Sequence, residues 1–286
     1  MKIKSIVALI VCWGFAVLSY GMGEKTHGSE KKLCLLCAGQ SNADGRVPVS
    51  ELPASISLPL EHCLFSFRTS DGSFSPLTAE NYLVKRNKNL CWAFDLVVYN
   101  ELCKAKQRDI YVIKHTLGGT SIDKEGGNRY HWTADYKELE DLKYSLLFAF
   151  EKQIEACVKQ HGKEFEIGAV LWHQGEGDSN KEEVAARYYQ NLKKVIKRIR
   201  KVVGNAKLPF ITGTVSHAST QYNKVIEEAQ RRLAAEDPYF YLVDMSKGTL
   251  LDPYHFDAKS TLYFGKSAYN CLIDAGVVDA AKVPTE

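Results

Sequence analysis

A chain of 286 residues with 45% hydrophobic and 25% charged positions holds enough apolar material for one core of the α/β kind and too little length for two large ones. Its 37 Lys and Arg against 34 Asp and Glu give a formal net charge of +3. That balance lacks the basic excess on which binding to nucleic acid or an anionic membrane relies, so neither partner is expected.

The chain opens with Lys2 and Lys4, an apolar run over residues 6–18, and small residues including Gly21 and Gly23. A charged start, a short apolar centre and small residues near its end form the pattern of a secretory signal peptide. Residues 1–23 are therefore expected to be cut off on export, which makes the mature protein secreted or periplasmic. A membrane anchor is the alternative, for which a run containing Trp13 and Gly14 is short. Cleavage takes two lysines and no acid, leaving a net charge of about +1, and takes Cys12, leaving seven of the eight cysteines. An odd number keeps at least one thiol out of any intramolecular disulfide, and among Cys63, Cys91, Cys103, Cys157 and Cys271 no pairing can be read. Cys34 and Cys37 lie in an apolar run, without a second cysteine pair or a histidine pair at zinc spacing, and are expected to be buried packing residues.

Residues 30–280 are expected to form a single domain. Short apolar runs at 33–38, 110–115, 167–172, 209–214 and 240–243 predict strands, and the spacing within 92–106, 136–161, 181–203, 221–235 and 260–275 predicts helices. Such alternation predicts an α/β three-layer sandwich with a mostly parallel central sheet. Ligands then belong at the carboxyl ends of the strands. The basic pairs Lys193-Lys194, Lys197-Arg198 and Arg200-Lys201 are interleaved with Val195, Ile196 and Ile199 at helical spacing and predict a solvated helix face. Residues 46–88 carry four prolines and little periodicity. They predict a long excursion over the cleft mouth, with Phe65, Phe67, Phe74 and Tyr82 filling core beneath it, stacking on sugar rings being the alternative. Arg129, Tyr130, His131 and Trp132 suggest an aromatic platform for a sugar ring.

Four polar blocks follow predicted strands: Gly39-Gln40-Ser41-Asn42, Gly118-Gly119-Thr120-Ser121, Trp172-His173-Gln174-Gly175-Glu176-Gly177-Asp178, and Asp252-Pro253-Tyr254-His255-Phe256. A serine hydroxyl needs a base before it attacks a carbonyl, and the base needs an orienting acid. In the last block a turn at Pro253 brings the Asp252 carboxylate to the nearer nitrogen of His255, which leaves the farther one for Ser41. The second block offers backbone N–H groups and the third a side-chain amide to a developing oxyanion. His115, His131, His173 and His217 also fall near strand ends but lack an aspartate three residues earlier. Ser216 and His217 are further cleft-lining candidates, and Asp178 is a candidate cap for the helix beginning near Lys181.

In this order, over residues 32–268, the blocks resemble those of the SGNH hydrolases, most closely carbohydrate esterase family 6 and the sialate O-acetylesterase-like proteins. The family's Gly-Gln-Ser-Asn block commonly continues Met-Ala-Gly-Arg; here Ala43-Asp44-Gly45-Arg46 lacks the methionine and keeps the Gly-Arg pair. Its Trp-x-Gln-Gly-Glu block is matched by Trp172, Gln174, Gly175 and Glu176, and its Asp-x-x-His-Phe block by Asp252, His255 and Phe256. The resemblance implies an SGNH, flavodoxin-like fold with Ser41 as nucleophile, His255 as base and Asp252 as acid, Glu176 being the alternative acid or a loop brace. It implies an oxyanion hole of the Ser41 and Gly119 N–H groups and the Gln174 amide, with Asn42 and Arg46 in supporting positions. The implied activity is removal of O-acetyl groups from carbohydrate, xylan-type polysaccharide or sialic acid, with neither metal nor organic cofactor. A non-catalytic sugar-binding protein and an esterase of lipid or small esters are the other functions to be distinguished.

Overall fold

The computed structural model describes residues 31–106 and 109–285; the expected signal peptide lies outside them. In chain order the elements are β1 (Lys32–Gly39), α1 (Ser41–Asp44), β2 (Val47–Pro48), β3 (Leu60–Phe67), β4 (Ser75–Leu77), α2 (Ala79–Tyr82), β5 (Val84–Arg86), β6 (Asn89–Trp92), α3 (Phe94–Lys106), β7 (Ile110–Thr116), α4 (Leu146–His161), β8 (Phe165–His173), α5 (Glu182–Val203), β9 (Phe210–Gly213), α6 (Lys224–Glu236), β10 (Phe240–Val243) and α7 (Ala258–Asp274).

Seven strands form the main sheet in the order β10-β9-β8-β1-β7-β3-β4, parallel throughout except for β4 at one edge. The five strands expected from the sequence lie in the flavodoxin-like order 2-1-3-4-5, and β3 and β4 extend the sheet beyond β7. Central β1 is covered on both faces, which is why it reads as an unbroken apolar run rather than an alternating one. Its Cys34 and Cys37 point to opposite faces, as residues three apart on a strand must, and both are fully buried. No disulfide joins any of the seven cysteines among the described residues. One apolar layer packs α3 and α7 on the sheet, and the other packs α4, α5 and α6. Along α5 Lys193, Lys194, Lys197 and Lys201 face outward while Val195, Ile196 and Ile199 are buried; Arg200 departs from the expected solvated face, donating to Leu208 O, Tyr239 O and Asp237. Glu182 and Glu183 in its first turn and Arg200 and Lys201 in its last complement the helix dipole.

Three expectations are corrected. Residues 46–88 are not only a loop: β3 is a full member of the main sheet, and β2, β6 and β5 form a small antiparallel sheet. The prolines misled because Pro48 and Pro76 sit in very short edge strands, where a missing N–H costs little. Phe65 and Tyr82 of this stretch are buried in the core. The helix expected over 136–161 begins only at Leu146, where Ser145 caps it by accepting from Phe148 N at 3.1 Å. The stretch before it makes two 3₁₀ turns. The aromatic platform is not formed, because Trp132 is fully buried and its Nε1 donates to Thr120 Oγ1 at 3.1 Å.

One ion pair lies inside the core. Lys114 on β7 and Asp95 on α3 are buried, with Nζ 2.7 Å from Oδ2, and Tyr82 donates to the other carboxylate oxygen at 2.7 Å. Removing one partner strands the other charge, so Asp95→Ala is expected to cost about 3–5 kcal/mol in urea unfolding. Asp95→Leu combined with Lys114→Met removes both charges and is expected to recover most of that loss.

Candidate active site

The cleft opens where β1 ends. Gly39 has φ 133°, and a Cβ there would lie 2.1 Å from His173 O. Bare backbone lets Gly39 O accept from Leu117 N at 3.1 Å on one side while Gln40 N donates to His173 O at 2.9 Å on the other. The chain then turns into α1, whose first residue is Ser41. As the first residue of a helical turn it has a backbone N–H without an intrahelical acceptor. Ser41, Arg46, Gly119, Tyr254 and His255 line a cavity of about 470 Å³.

His255 is fixed by its own loop. Asp252 Oδ1 accepts from Tyr254 N at 2.8 Å and from His255 N at 2.9 Å, while Oδ2 lies 2.7 Å from His255 Nδ1. Burial acts to raise the Asp252 pKa, but the bond from His255 and the two backbone N–H groups outweigh it and hold the carboxyl below its usual value. The loop is closed by a bridge between Leu250 and Phe256. His255 Nε2 and Ser41 Oγ have no protein hydrogen-bond partner among the described residues, and the two side chains share the cavity without a direct bond. Such contacts are often loose until substrate is bound.

Asn42 ties three loops together. Its Nδ2 donates to Glu176 Oε1 at 2.7 Å, and its Oδ1 accepts from Phe256 N at 3.1 Å. The residue after Ser41 is thereby clamped to the residue after His255 and to the loop that leaves β8. Glu176 is directed at Asn42, and its other oxygen lies 4.0 Å from the buried His173 rather than near His255.

The expected oxyanion donors divide. Gly119, at φ 73°, lines the cavity, and no residue among those described accepts from its N–H. Its left-handed backbone is what calls for glycine, since a Cβ would meet only Asn128 Nδ2, at 3.4 Å. The position without room is Gly118, where a Cβ would fall 1.9 Å from Arg46 Nη2. Gln174, expected to present its amide to the cleft, is fully buried behind it. Its Nε2 donates to Asp178 Oδ2 at 2.6 Å, Gln40 Oε1 at 3.2 Å and Thr120 O at 3.3 Å. Among the amide side chains that line the cavity, with Gln40, Asn180 and Gln221, the one beside Gly119 belongs to Asn128, which the sequence did not single out and whose Nδ2 also donates to Gly118 O at 3.4 Å. Its Oδ1 accepts from Tyr130 N at 2.8 Å, an Asx turn that leaves Nδ2 beside Gly119.

Asp178 does not cap α5 either. Its carboxylate accepts from Ile122 N at 2.8 Å and Asp123 N at 2.9 Å as well as from Gln174. Burial pushes its pKa up to about 7, against the pull of these donors. The opposite case is Asp44, buried in α1, which accepts from Arg46 Nη1 at 3.1 Å, Arg68 Nη2 at 2.9 Å, Thr116 Oγ1 at 3.0 Å and the Arg86 guanidinium. Burial would raise its pKa, and the three arginines more than reverse that. Three positive charges on one negative leave the cluster with an excess of two, and Arg46 carries its share to the cleft wall. Arg46 Nη2 forms no hydrogen bond among the described residues.

The other histidines near strand ends stand apart from the cleft. His115 Nδ1 lies 2.9 Å from Gln153 Oε1, and burial lowers its pKa to about 4. His131 and His173 are buried, and His217 pairs with Glu227 at 2.7 Å. Ser216 donates to Gly248 O at 2.6 Å and does not line the cavity.

A mostly parallel sheet with the cleft at the carboxyl end of its first strand, at the point where strand order reverses, is the doubly wound α/β arrangement, which binds ligands at that point. The chain belongs to the family described as "carbohydrate esterase, sialic acid-specific acetylesterase", whose model matches residues 31–274. It is thus a carboxylic ester hydrolase of the carbohydrate acetylesterase kind. The fold is similar to that of an Arabidopsis thaliana protein, with TM-score 0.68 and 22% identity over 85% of this chain and 98% of that one. NanS is similar with TM-score 0.64 and 14% identity, over 85% and 97% of the two chains. A carbohydrate acetylesterase from Xanthomonas citri is similar with TM-score 0.61 and 18% identity, over 86% of this chain and 57% of that longer one. No curated protein sequence matches.

The two buried aspartates predict opposite responses to pH. Asp44, with a depressed pKa, contributes stability above the ordinary carboxylate value of about 4 that is lost as pH falls through its folded value. Asp178, with a raised pKa, favours the folded state most below about pH 4 and loses that contribution as pH rises from about 4 to about 7. In Asp178→Asn the new NH₂ must face one of two backbone N–H donors, so urea unfolding at pH 5 is expected to show a loss of about 1–3 kcal/mol. Between pH 5 and 8 the gap to wild type should narrow.

Proposed function

We propose that the protein hydrolyses sugar O-acetyl esters through an acetyl-enzyme on Ser41. The observation that carries this reading is the 2.7 Å contact between Asp252 and His255 Nδ1 on the rim of the cavity that contains Ser41. Ser41 Oγ attacks the acetyl carbonyl as its proton passes to His255 Nε2, while Asp252 accepts a hydrogen bond from His255 Nδ1–H and stabilises the imidazolium. The oxyanion is received by the Ser41 and Gly119 N–H groups, with the Asn128 amide taking the part expected of Gln174. Collapse of the tetrahedral intermediate breaks the bond to the sugar oxygen, which leaves with the proton from His255. Water, giving its proton to His255, then attacks the acetyl group on Ser41, and collapse of this second intermediate breaks the bond to Ser41 Oγ, which takes the proton back from His255 as acetate leaves. Asn42 and Glu176 act as positioning residues.

Two features narrow the substrate. Apart from Tyr254 the cavity lining is glycine or polar side chains, with no aliphatic residue to form an acyl channel. This favours a short acetyl group on a polar alcohol over a lipid ester. The unbonded Arg46 Nη2 and the positive excess around Asp44 favour a carboxylate-bearing sugar, sialic acid over neutral xylan. The charged and apolar pattern of residues 1–23 supports an exported enzyme.

Ser41→Ala is expected to reduce hydrolysis of 4-nitrophenyl acetate below about 1% of wild type, with an unchanged melting temperature. Substantial residual turnover would identify another nucleophile. Asp252→Asn is expected to lower kcat strongly, a loss that reaches about 10⁴ in a serine protease triad and is softened here by solvent at the rim. Asn128→Ala should lower kcat by about 10²–10³ and Gln174→Ala should act mainly on stability. Arg46→Gln should raise KM about tenfold or more for an acetylated sialic acid and leave 4-nitrophenyl acetate hydrolysis nearly untouched.

A further inference from the structure

A second cavity of about 890 Å³ lies between the segment that leaves β10 and one face of α7. Lys247 enters it from the segment, and Lys259, Leu262, Tyr263 and Lys266 enter from the helix. Positions 259, 263 and 266 share a face at helical spacing, and the two lysines stand about 10 Å apart along the axis. Tyr263 is 38% exposed. None of the three lysines forms an ion pair among the described residues. The acids nearby are occupied: Asp244 accepts from Ser246 N at 2.9 Å and from Arg231 at 3.3 Å, and Asp257 caps α7 by accepting from Ser260 N at 2.8 Å.

Three lysines face one cavity whose lining holds a single carboxylate, Asp244, itself paired with Arg231, while Asp257 lies close enough for Lys259 to help lower its pKa; the cavity keeps a positive excess. The local field therefore favours an anion, and the tyrosine face between the lysines favours a flat apolar surface such as one side of a pyranose ring. A carboxylate-bearing glycan chain supplies both, and the separation of Lys259 and Lys266 is comparable to a disaccharide. The wall of this cavity also leads directly into the loop of Asp252 and His255. Thr249 N donates to Ser260 Oγ at 2.7 Å, Asp257 N donates to Thr249 O at 3.2 Å, and the Leu250–Phe256 bridge follows.

We propose that this cavity is a second glycan-binding site, which takes a carboxylate-bearing oligosaccharide chain and anchors polymeric substrate beside the catalytic loop. Its role toward substrate rests on the esterase reading above; its binding of acidic glycan does not. Calorimetric titration of the wild-type protein with hexagalacturonate, which carries no acetyl group, tests it. Binding is expected, with neutral xylohexaose at least about tenfold weaker, and a loss of about tenfold or more in K259Q/K266Q. Tyr263→Ala should weaken binding as well, and every variant should retain wild-type turnover of 4-nitrophenyl acetate. Absence of hexagalacturonate binding, or affinity unchanged in K259Q/K266Q, would overturn the site. So would a single-stranded oligonucleotide that binds as tightly while Tyr263→Ala has no effect, since the groove would then be a patch of charge alone. Turnover of the acetyl ester reads the esterase separately, so either idea can fail without the other.

Discussion

The arrangement of this protein depends on how its central strand stops. β1 is held on both sides by parallel neighbours, and at Gly39 the backbone must satisfy β7 and β8 while leaving the plane of the sheet. Only a residue without a Cβ passes the His173 carbonyl at that distance. Because the last pairings of β1 are tied to Leu117 and His173, Ser41 is located relative to both flanking loops before any side chain is considered. Those loops carry Gly119 on one side and Glu176 on the other. A shift of the strand end would move all three together.

Beneath the cleft lies a layer of buried polar groups that would be costly unless mutually satisfied. Asn42 spends its amide on Glu176 and on the backbone after His255, and Gln174 spends its own on Gln40, Thr120 and Asp178. These bonds join loops distant in the chain, so the proposed nucleophile and base are held by a shared frame rather than by contact with each other. The layer also explains why a glutamine immediately after the end of β8 can be absent from the cleft. Its hydrogen bonds are needed inside.

Electrostatically the molecule is uneven although its net charge is small. Asp44 collects three arginines at one edge of the cleft, and three lysines without an ion pair among the described residues gather behind the loop of Asp252 and His255. Partly buried pairs elsewhere, such as Arg198 with Glu151 and Arg200 with Asp237, are closed one to one. Both cavities thus carry a local positive excess, which would favour an acidic sugar.

The amino-acid sequence alone determined the alternation of strand and helix, because apolar period and turn residues are local properties. It likewise made the Asp252–His255 contact legible, since a four-residue turn brings the two side chains together locally, while Asn42 and the Leu250–Phe256 bridge hold that turn in place. The order of the five expected strands, the place of β3 and the direction of each polar side chain came only with tertiary packing. β3 was hidden because a proline-rich stretch with weak periodicity becomes a strand only when β7 offers it an edge. Trp132 read as a platform and proved to be core, and Gln174 read as a cleft donor and proved to be a brace, because nothing local says which way a side chain at a strand end will turn. Asn128 lies ten residues beyond Gly118 and comes back to it through an Asx turn and a bond from its own N–H to Gly119 O at 3.0 Å. A motif names the residue types that a reaction needs, but the loops that fold back over the sheet decide which of them arrive at the cleft, because their bonds are made to residues far away in the chain.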